Sequence, residues 1–168
     1  HDLMLAKLEA YGFSESSIEF MFNYLKNRTQ VVQINNSFSS SGKSKVGVPQ
    51  GSIIGPLLFK IFINDFIFSV EHSRISNYAD DNTMYCVGKD KDKTKILLEK
   101  DFQTVANWFY ENAMILNPDK CHFMCLGKDV GDEEEFNSLS YKLQNSNEEK
   151  MLGITIDRKL NFESHINS

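Results

Sequence analysis

The hydrophobic positions change period several times along the chain. The opening stretch through Ala10 reads as a short helix, with Asp2 as its cap and Gly12 as its stop. Ser16 and Glu19 have capping-box spacing, predicting a second helix with Ile18, Met21, Phe22 and Leu25 on its apolar face. From Thr29 to Asn36 the pattern shifts to alternation, as in a strand. Residues 38–42 read as a turn and 43–48 as the returning strand. The segment Gly47-Val48-Pro49-Gln50-Gly51-Ser52 is a Gly-punctuated loop leading into an apolar run, predicted as a buried helix over 57–70.

Residues 74–79 and 82–87 read as two strands with Asp80 and Asp81 at their junction. A polar connection over 89–95 precedes a helical stripe over 96–114, marked by Leu98, Phe102, Val105, Trp108 and Phe109. Asn117-Pro118-Asp119-Lys120 reads as a turn. Further strands are expected over 121–126, 141–144 and 151–156, with an exposed acidic loop over 127–137. Helices and strands alternate irregularly and without internal repeat. That suits an α+β fold with a split βαβ sheet better than a sandwich or a bundle.

Composition adds bounds. The 168 residues, 41% hydrophobic and 24% charged, suffice for one domain with its own core. No apolar run is long enough to predict a membrane span, and the start has no signal-peptide pattern. The chain does not begin with Met, which predicts a fragment. Three cysteines, Cys86, Cys121 and Cys125, fit a reducing compartment better than a disulfide framework. The net charge of −5 argues against a nucleic-acid binder. Much of the acid is local, however: Asp129, Asp132, Glu133, Glu134 and Glu135 crowd one stretch. Basic residues gather at Lys43 and Lys45 and between Lys89 and Lys95. The latter run reads as a solvated loop, with phosphate contact as the alternative.

Asp80-Asp81 has two readings on its residues alone. One is a hairpin turn, where Asp is common. The other is a metal site: adjacent carboxylates repel until a cation neutralises them, and no Lys or Arg adjoins these two in sequence. Hard oxygen ligands suit Mg²⁺, with Mn²⁺ as the variant. Two such ions, about 3.5–4 Å apart, drive in-line phosphoryl transfer. Cys121-His122 with Cys125 offers only three zinc ligands on an alternating strand, which favours a core strand. Trp108, Phe102 and Phe109 fall at helical spacing and read as core before base-stacking platforms.

Ordered segments around the acid pair carry a resemblance. The string Tyr78-Ala79-Asp80-Asp81, the run from Gly47 through Leu57-Leu58-Phe59 with Ile63-Asn64-Asp65, and Trp108 with Asn112 and Leu116-Asn117-Pro118-Asp119-Lys120 occur in order. So does Leu152-Gly153-Ile154-Thr155-Ile156-Asp157 with Leu160, Phe162 and His165, and His1 to Gly12 with Tyr24-Leu25, Arg28 and Gln30 fit the same pattern. The chain thereby resembles the reverse transcriptases of non-LTR (LINE-like) retrotransposons over nearly its whole length. The 47–59 match is its most specific part.

The resemblance implies a polymerase palm: a ferredoxin-like antiparallel sheet packed on helices, with a partial finger segment and no thumb. Residues 1–46 would connect finger and palm, 47–126 form the palm core, and 127–168 hold the acidic loop and the palm-to-thumb boundary. The implied activity is RNA-directed DNA polymerisation at a primer 3′-hydroxyl by two-metal phosphoryl transfer. Asp80 and Asp81 would hold two Mg²⁺. Gln50, with Gly51 and Pro49, would lie beside the incoming nucleotide or template, and Tyr78 and Ala79 near the primer end. A loop with a helix cap at Ser52 is the plainer reading of the first group, and strand packing of the second. Lys120 would act on the departing pyrophosphate, or is a solvated turn lysine.

The implied partners are an RNA template, a DNA primer and deoxynucleoside triphosphates, with an upstream endonuclease domain in the full protein and a nuclear and cytoplasmic location. The family's third carboxylate is expected on a strand just before His1, so the isolated chain is expected to be inactive. A non-catalytic remnant that binds nucleic acid or protein is the alternative, and an intron-encoded maturase a third.

Overall fold

A computed structural model describes residues 1–127, 135–139 and 141–167. The chain divides into two compact units, His1–Asp65 and Phe66–Ser168.

The first unit opens with helix α1, Asp2–Ala10, ended by Gly12 at φ +82°. His1, not Asp2, is the N-cap; Asp2 sits in the first turn, where its charge opposes the helix dipole, and pairs with Lys26. Helix α2, Glu15–Leu25, begins earlier than its Ser16–Glu19 spacing predicts. Ser14 is the cap and its hydroxyl accepts from the Ser17 amide, which draws Glu15 and Ser16 into the helix. Met4, Leu8, Leu25 and Leu58 form the buried core, with Ile18 and Met21 packed against it. Phe22, expected inside, points outward, with the Lys26 ammonium 5.8 Å from its ring centroid.

The predicted strand over 29–36 is broken. Strand β1, Thr29–Gln30, and β2, Gln33–Ile34, belong to different ladders. Strand β3, Ser37–Phe38, pairs back on β2, and β4, Gly42–Lys43, pairs with β1. The reason is Asn35-Asn36: Asn35 adopts φ +53°, which asparagine tolerates, so the chain turns inside the alternating run. Helix α3, Gly55–Ile63, is shorter than the expected 57–70. It ends at Ile63 with Asn64 as its C-cap, and just past it the Asp65 carboxylate takes two hydrogen bonds from Lys7 of α1, at 2.6 and 2.8 Å.

In the second unit a 3-10 turn at Phe66–Ser69 leads to strands β5, Arg74–Tyr78, and β6, Asp81–Tyr85. Helix α4, Lys91–Glu111, starts within the predicted polar connection. Asp90 caps it by accepting from the Lys93 amide at 3.1 Å, so 91–95 are helical. Phe66, Val105 and Phe109 are buried, with half-buried Trp108 against the two phenylalanines, the paired rings 5.3–5.7 Å apart.

The expected strand over 121–126 reduces to one bridge, Phe123 to Asn145. The Cys125 amide is taken by the Asn145 side chain at 2.8 Å instead of a neighbouring strand. Strand β7, Glu135–Ser138, occupies the described end of the predicted acidic loop and pairs with β8, Tyr141–Gln144. Asp129, Asp132, Glu133 and Glu134 lie outside the described residues. Phe102 of α4 docks this hairpin, edge-on to Phe136 at 5.2 Å and Tyr141 at 5.0 Å. The expected strand over 151–156 is a hairpin: β9, Glu148–Met151, turns at Leu152 and Gly153, both at positive φ, into β10, Ile154–Asp157. A short helix α5, Glu163–Ile166, follows.

The fold is thus mixed: helices with five two-stranded antiparallel sheets among the described residues. No helix among these residues is long and apolar enough to cross a membrane.

Candidate active site

The β5–β6 hairpin places the acid pair. Its register, Asn77 opposite Asn82 and Tyr78 opposite Asp81, leaves Ala79 and Asp80 as a two-residue loop. Asp81 is therefore the first residue of β6 and Asp80 the second residue of the turn. Ala79, expected in the strand, is in the turn at φ +55°. Only this first loop residue has positive φ, the position where such turns usually take glycine.

Alternation sorts the remaining side chains by face. Tyr78 and Asp81 share the outer face, and Tyr78 is 67% exposed. Ile75, Asn82 and Met84 share the inner face and line a cavity of about 850 Å³ together with Leu98, Phe102 and Val105 of α4. Among the described residues neither Asp80 nor Asp81 has a hydrogen bond or ion pair at its carboxylate, and no third His, Cys, Asp or Glu completes a metal-sized cluster with them. Two adjacent, water-exposed carboxylates with no internal cation fit Mg²⁺. That ion is usually held by one or two carboxylates, with waters and substrate phosphates filling its other positions.

Lys120 ends a 3-10 turn, Pro118–Lys120, whose cap Asn117 accepts from the Asp119 amide at 3.0 Å. It is exposed and lines the same cavity as Asn82 and Met84. Cys121 does not face an open ligand position: burial pushes its thiol up, and its Sγ donates to the Asn117 carbonyl at 3.2 Å. His122 lies 3.1 Å from Glu149, and Phe123 is buried.

Pro49, Gln50 and Gly51 belong to the other unit. The Ser52 amide donates to the Pro49 carbonyl at 3.2 Å, closing a β-turn with Gly51 at φ +77° in its third position, as a type II turn requires. Gln50 is exposed at the tip. The Ser52 hydroxyl accepts from the Gly55 amide at 3.1 Å, but the N-cap of α3 is Ile54, so Ser52 braces the loop and is not the helix cap. A side chain at position 55 would begin 2.6 Å from that hydroxyl, so glycine is needed there.

Sequence reasoning passed over three residues. Asp101, 2% exposed in α4, accepts from the amides of Glu71, His72 and Ser73 at 3.2, 2.8 and 2.5 Å, fixing the chain just before β5. Its signal is legible: Asp101, Val105 and Phe109 step by four along the buried face of α4. The others, Asn77 and Asn82, face each other across the hairpin on either side of the Ala79–Asp80 turn.

A family model, reverse transcriptase (RNA-dependent DNA polymerase), matches residues 1–156. The chain belongs to the reverse transcriptase family, in agreement with the LINE-like resemblance of its motifs. It is similar to a probable RNA-directed DNA polymerase from transposon BS of Drosophila melanogaster, at 27% identity over 177 residues, 99% of this chain and 19% of that protein. It is also similar to the RNA-directed DNA polymerase from mobile element jockey of the same species, at 28% identity over 151 residues, 86% of this chain and 16% of that protein. The chain spans less than a fifth of the length of these relatives.

Proposed function

We propose that this chain is the palm portion of an RNA-directed DNA polymerase that adds deoxynucleotides to a primer 3′-hydroxyl on an RNA template. The observation that carries the reading is the Asp80–Asp81 pair, presented at an exposed hairpin tip with neither carboxylate engaged. In it Asp80 and Asp81 hold two Mg²⁺, or Mn²⁺. When bound, these ions activate the primer hydroxyl and neutralise charge on the departing phosphates. Tyr78 and Ala79 border the primer end. Gln50, with Pro49 and Gly51, borders the nucleotide and template. Lys120 supplies a proton or positive charge to the leaving pyrophosphate.

The palm reading assigns residues 1–46 to the finger connection, 47–126 to the palm core and 127–168 to the boundary with the thumb. One feature of the second unit favours it. Residues 84–88, which end β6 and continue past it, line the cavity, as do residues 120–127. Among the described residues β6 pairs only with β5, so its other edge is unpaired and open to a further strand. By resemblance that strand carries the family's third carboxylate, without which this stretch is inactive alone. The absence of a third ligand beside Asp80 and Asp81 among the described residues favours the second reading, a non-catalytic remnant, for the isolated chain. By the same resemblance the whole protein carries an upstream endonuclease and works in the nucleus and cytoplasm.

The test is primer extension on an RNA template with Mg²⁺, using the protein that carries this chain. Asp80→Ala and Asp81→Ala should each abolish extension. Full activity in either variant would overturn the metal-site assignment.

A further inference from the structure

Asn77 and Asn82 face each other one pair below the hairpin tip. Asn77 Nδ2 donates to the Ala79 carbonyl at 3.1 Å and to Asn82 Oδ1 at 2.5 Å. Asn82 Nδ2 donates to the Asp80 carbonyl at 3.2 Å. Both turn carbonyls are thus held by side-chain amides, and the two amides hold each other. The amide orientations are forced: the backbone partners are carbonyls, so a flipped amide would set oxygen against oxygen. We infer that Asn77 and Asn82 form a clasp that positions the Asp80 and Asp81 carboxylates for metal binding. This inference rests on the polymerase reading of the acid pair.

The physical need is at Ala79. An L residue is strained at its φ of +55°, and a two-residue loop with alanine there could relax to other turns. Relaxation would rotate the peptide groups on both sides of Asp80, and with them the direction of its side chain. A carboxylate pair that shares small, octahedral ions tolerates little of this. The clasp opposes the rotation by holding the two carbonyls that would move. It does so from the inner face, where Asn82 lines the cavity beside Ile75 and Met84, while Asp81 lies on the opposite face. The carboxylates are therefore fixed without their oxygens being occupied. Asn77 and Asn82 are positioning residues, acting on the metal only through the backbone of the turn.

The test titrates Mn²⁺ alone into the protein that carries this chain, reading free ion by electron paramagnetic resonance, and in parallel measures the Mg²⁺ dependence of primer extension. Asn77→Ala should weaken Mn²⁺ binding and raise the half-saturating Mg²⁺ concentration by about tenfold, as loss of a supporting partner does at other metal sites. The KM for template–primer should not move. Asn82→Ala reads the same quantities if the first variant does not fold. Unchanged Mn²⁺ affinity in a folded variant would overturn the inference, as would a loss of activity at unchanged half-saturating Mg²⁺. Asp80→Ala separates the two layers: if it binds Mn²⁺ like the parent protein, the acid pair is not the metal site, whatever the asparagines do.

Discussion

The root and the tip of the β5–β6 hairpin both carry aspartates, and the two regions treat them in opposite ways. At the root, Asp101 is buried and three backbone amides converge on it. At the tip, Asp80 and Asp81 are exposed and no donor or cation within the described chain meets their carboxylates. A carboxylate surrounded by converging amides is neutralised from inside and serves the fold. Two adjacent carboxylates left bare repel each other and are available to an external cation. The amide donors at the tip go instead to the carbonyls of Ala79 and Asp80, so the turn is held and the charges are not.

The largest effect should come at the tip. Replacing Asp80 by Asn should lower primer extension on the order of 10³-fold, the scale for losing one preorganised charge contact in a reacting site. It should leave thermal stability unchanged or slightly higher, because one like-charge repulsion is removed. A stability loss comparable to that of a core substitution would show that the tip carboxylates are structural after all, and would erase the contrast with the root.

The root should behave in reverse. Asp101→Ala leaves three amides without their acceptor, one of them on buried Ser73, and should cost about 2–3 kcal/mol in denaturant unfolding. Its pH dependence sharpens the point. Burial pushes the Asp101 pKa up, but hydrogen bonds from Ser73 and from the Glu71 and His72 amides outweigh it, and the pKa lies below the usual value. The Ser73 hydroxyl oxygen is buried without a partner in the geometry, so the amides carry this effect. A depressed folded-state pKa means that the stabilisation is full above the unfolded value, about 3.9, and is lost as the pH falls from there through the folded value. Unfolding free energy measured from pH 6 down to pH 2 should drop in the parent protein. It should drop less in Asp101→Asn.

Much of this contrast was legible in the sequence, and the gaps have physical causes. The acid pair at a hairpin, the Pro49–Ser52 loop and a helix through Leu98–Phe109 rest on local pattern and turn chemistry, although that helix, expected over 96–114, runs Lys91–Glu111. The run over 29–36 misled because alternation also passes through Asn35-Asn36, and a turn needs only one residue willing to take positive φ. The segment 121–126 misled because strand pattern does not supply a pairing partner; its amide found the Asn145 side chain. The start of α4 was hidden in a run of charges, where a single cap, Asp90, outweighs the impression of a solvated loop. Asp101 and the two asparagines act through backbone groups distant in sequence or across a hairpin, and no pattern of residue types alone assigns those contacts.

The smallest expected effect compares the tip with the loop of the first unit. Both turns contain one residue at positive φ, glycine at position 51 and alanine at position 79. Gly51 has no atom near enough to obstruct a side chain, so Gly51→Ala should cost only the backbone strain, about 1 kcal/mol. Ala79→Gly should relieve that strain but add freedom to the unfolded chain, which costs about 0.5–1 kcal/mol. The two terms nearly cancel, and thermal unfolding should show a change of a few tenths of a kcal/mol in either direction. The informative quantity is then hydrogen exchange at the Asp80 and Asp81 amides. If the asparagine clasp holds the turn, exchange should stay slow in Ala79→Gly and speed up in Asn77→Ala. If the alanine side chain itself shapes the turn, the order reverses, and the stiffness of the tip belongs to residue 79 instead of to its neighbours.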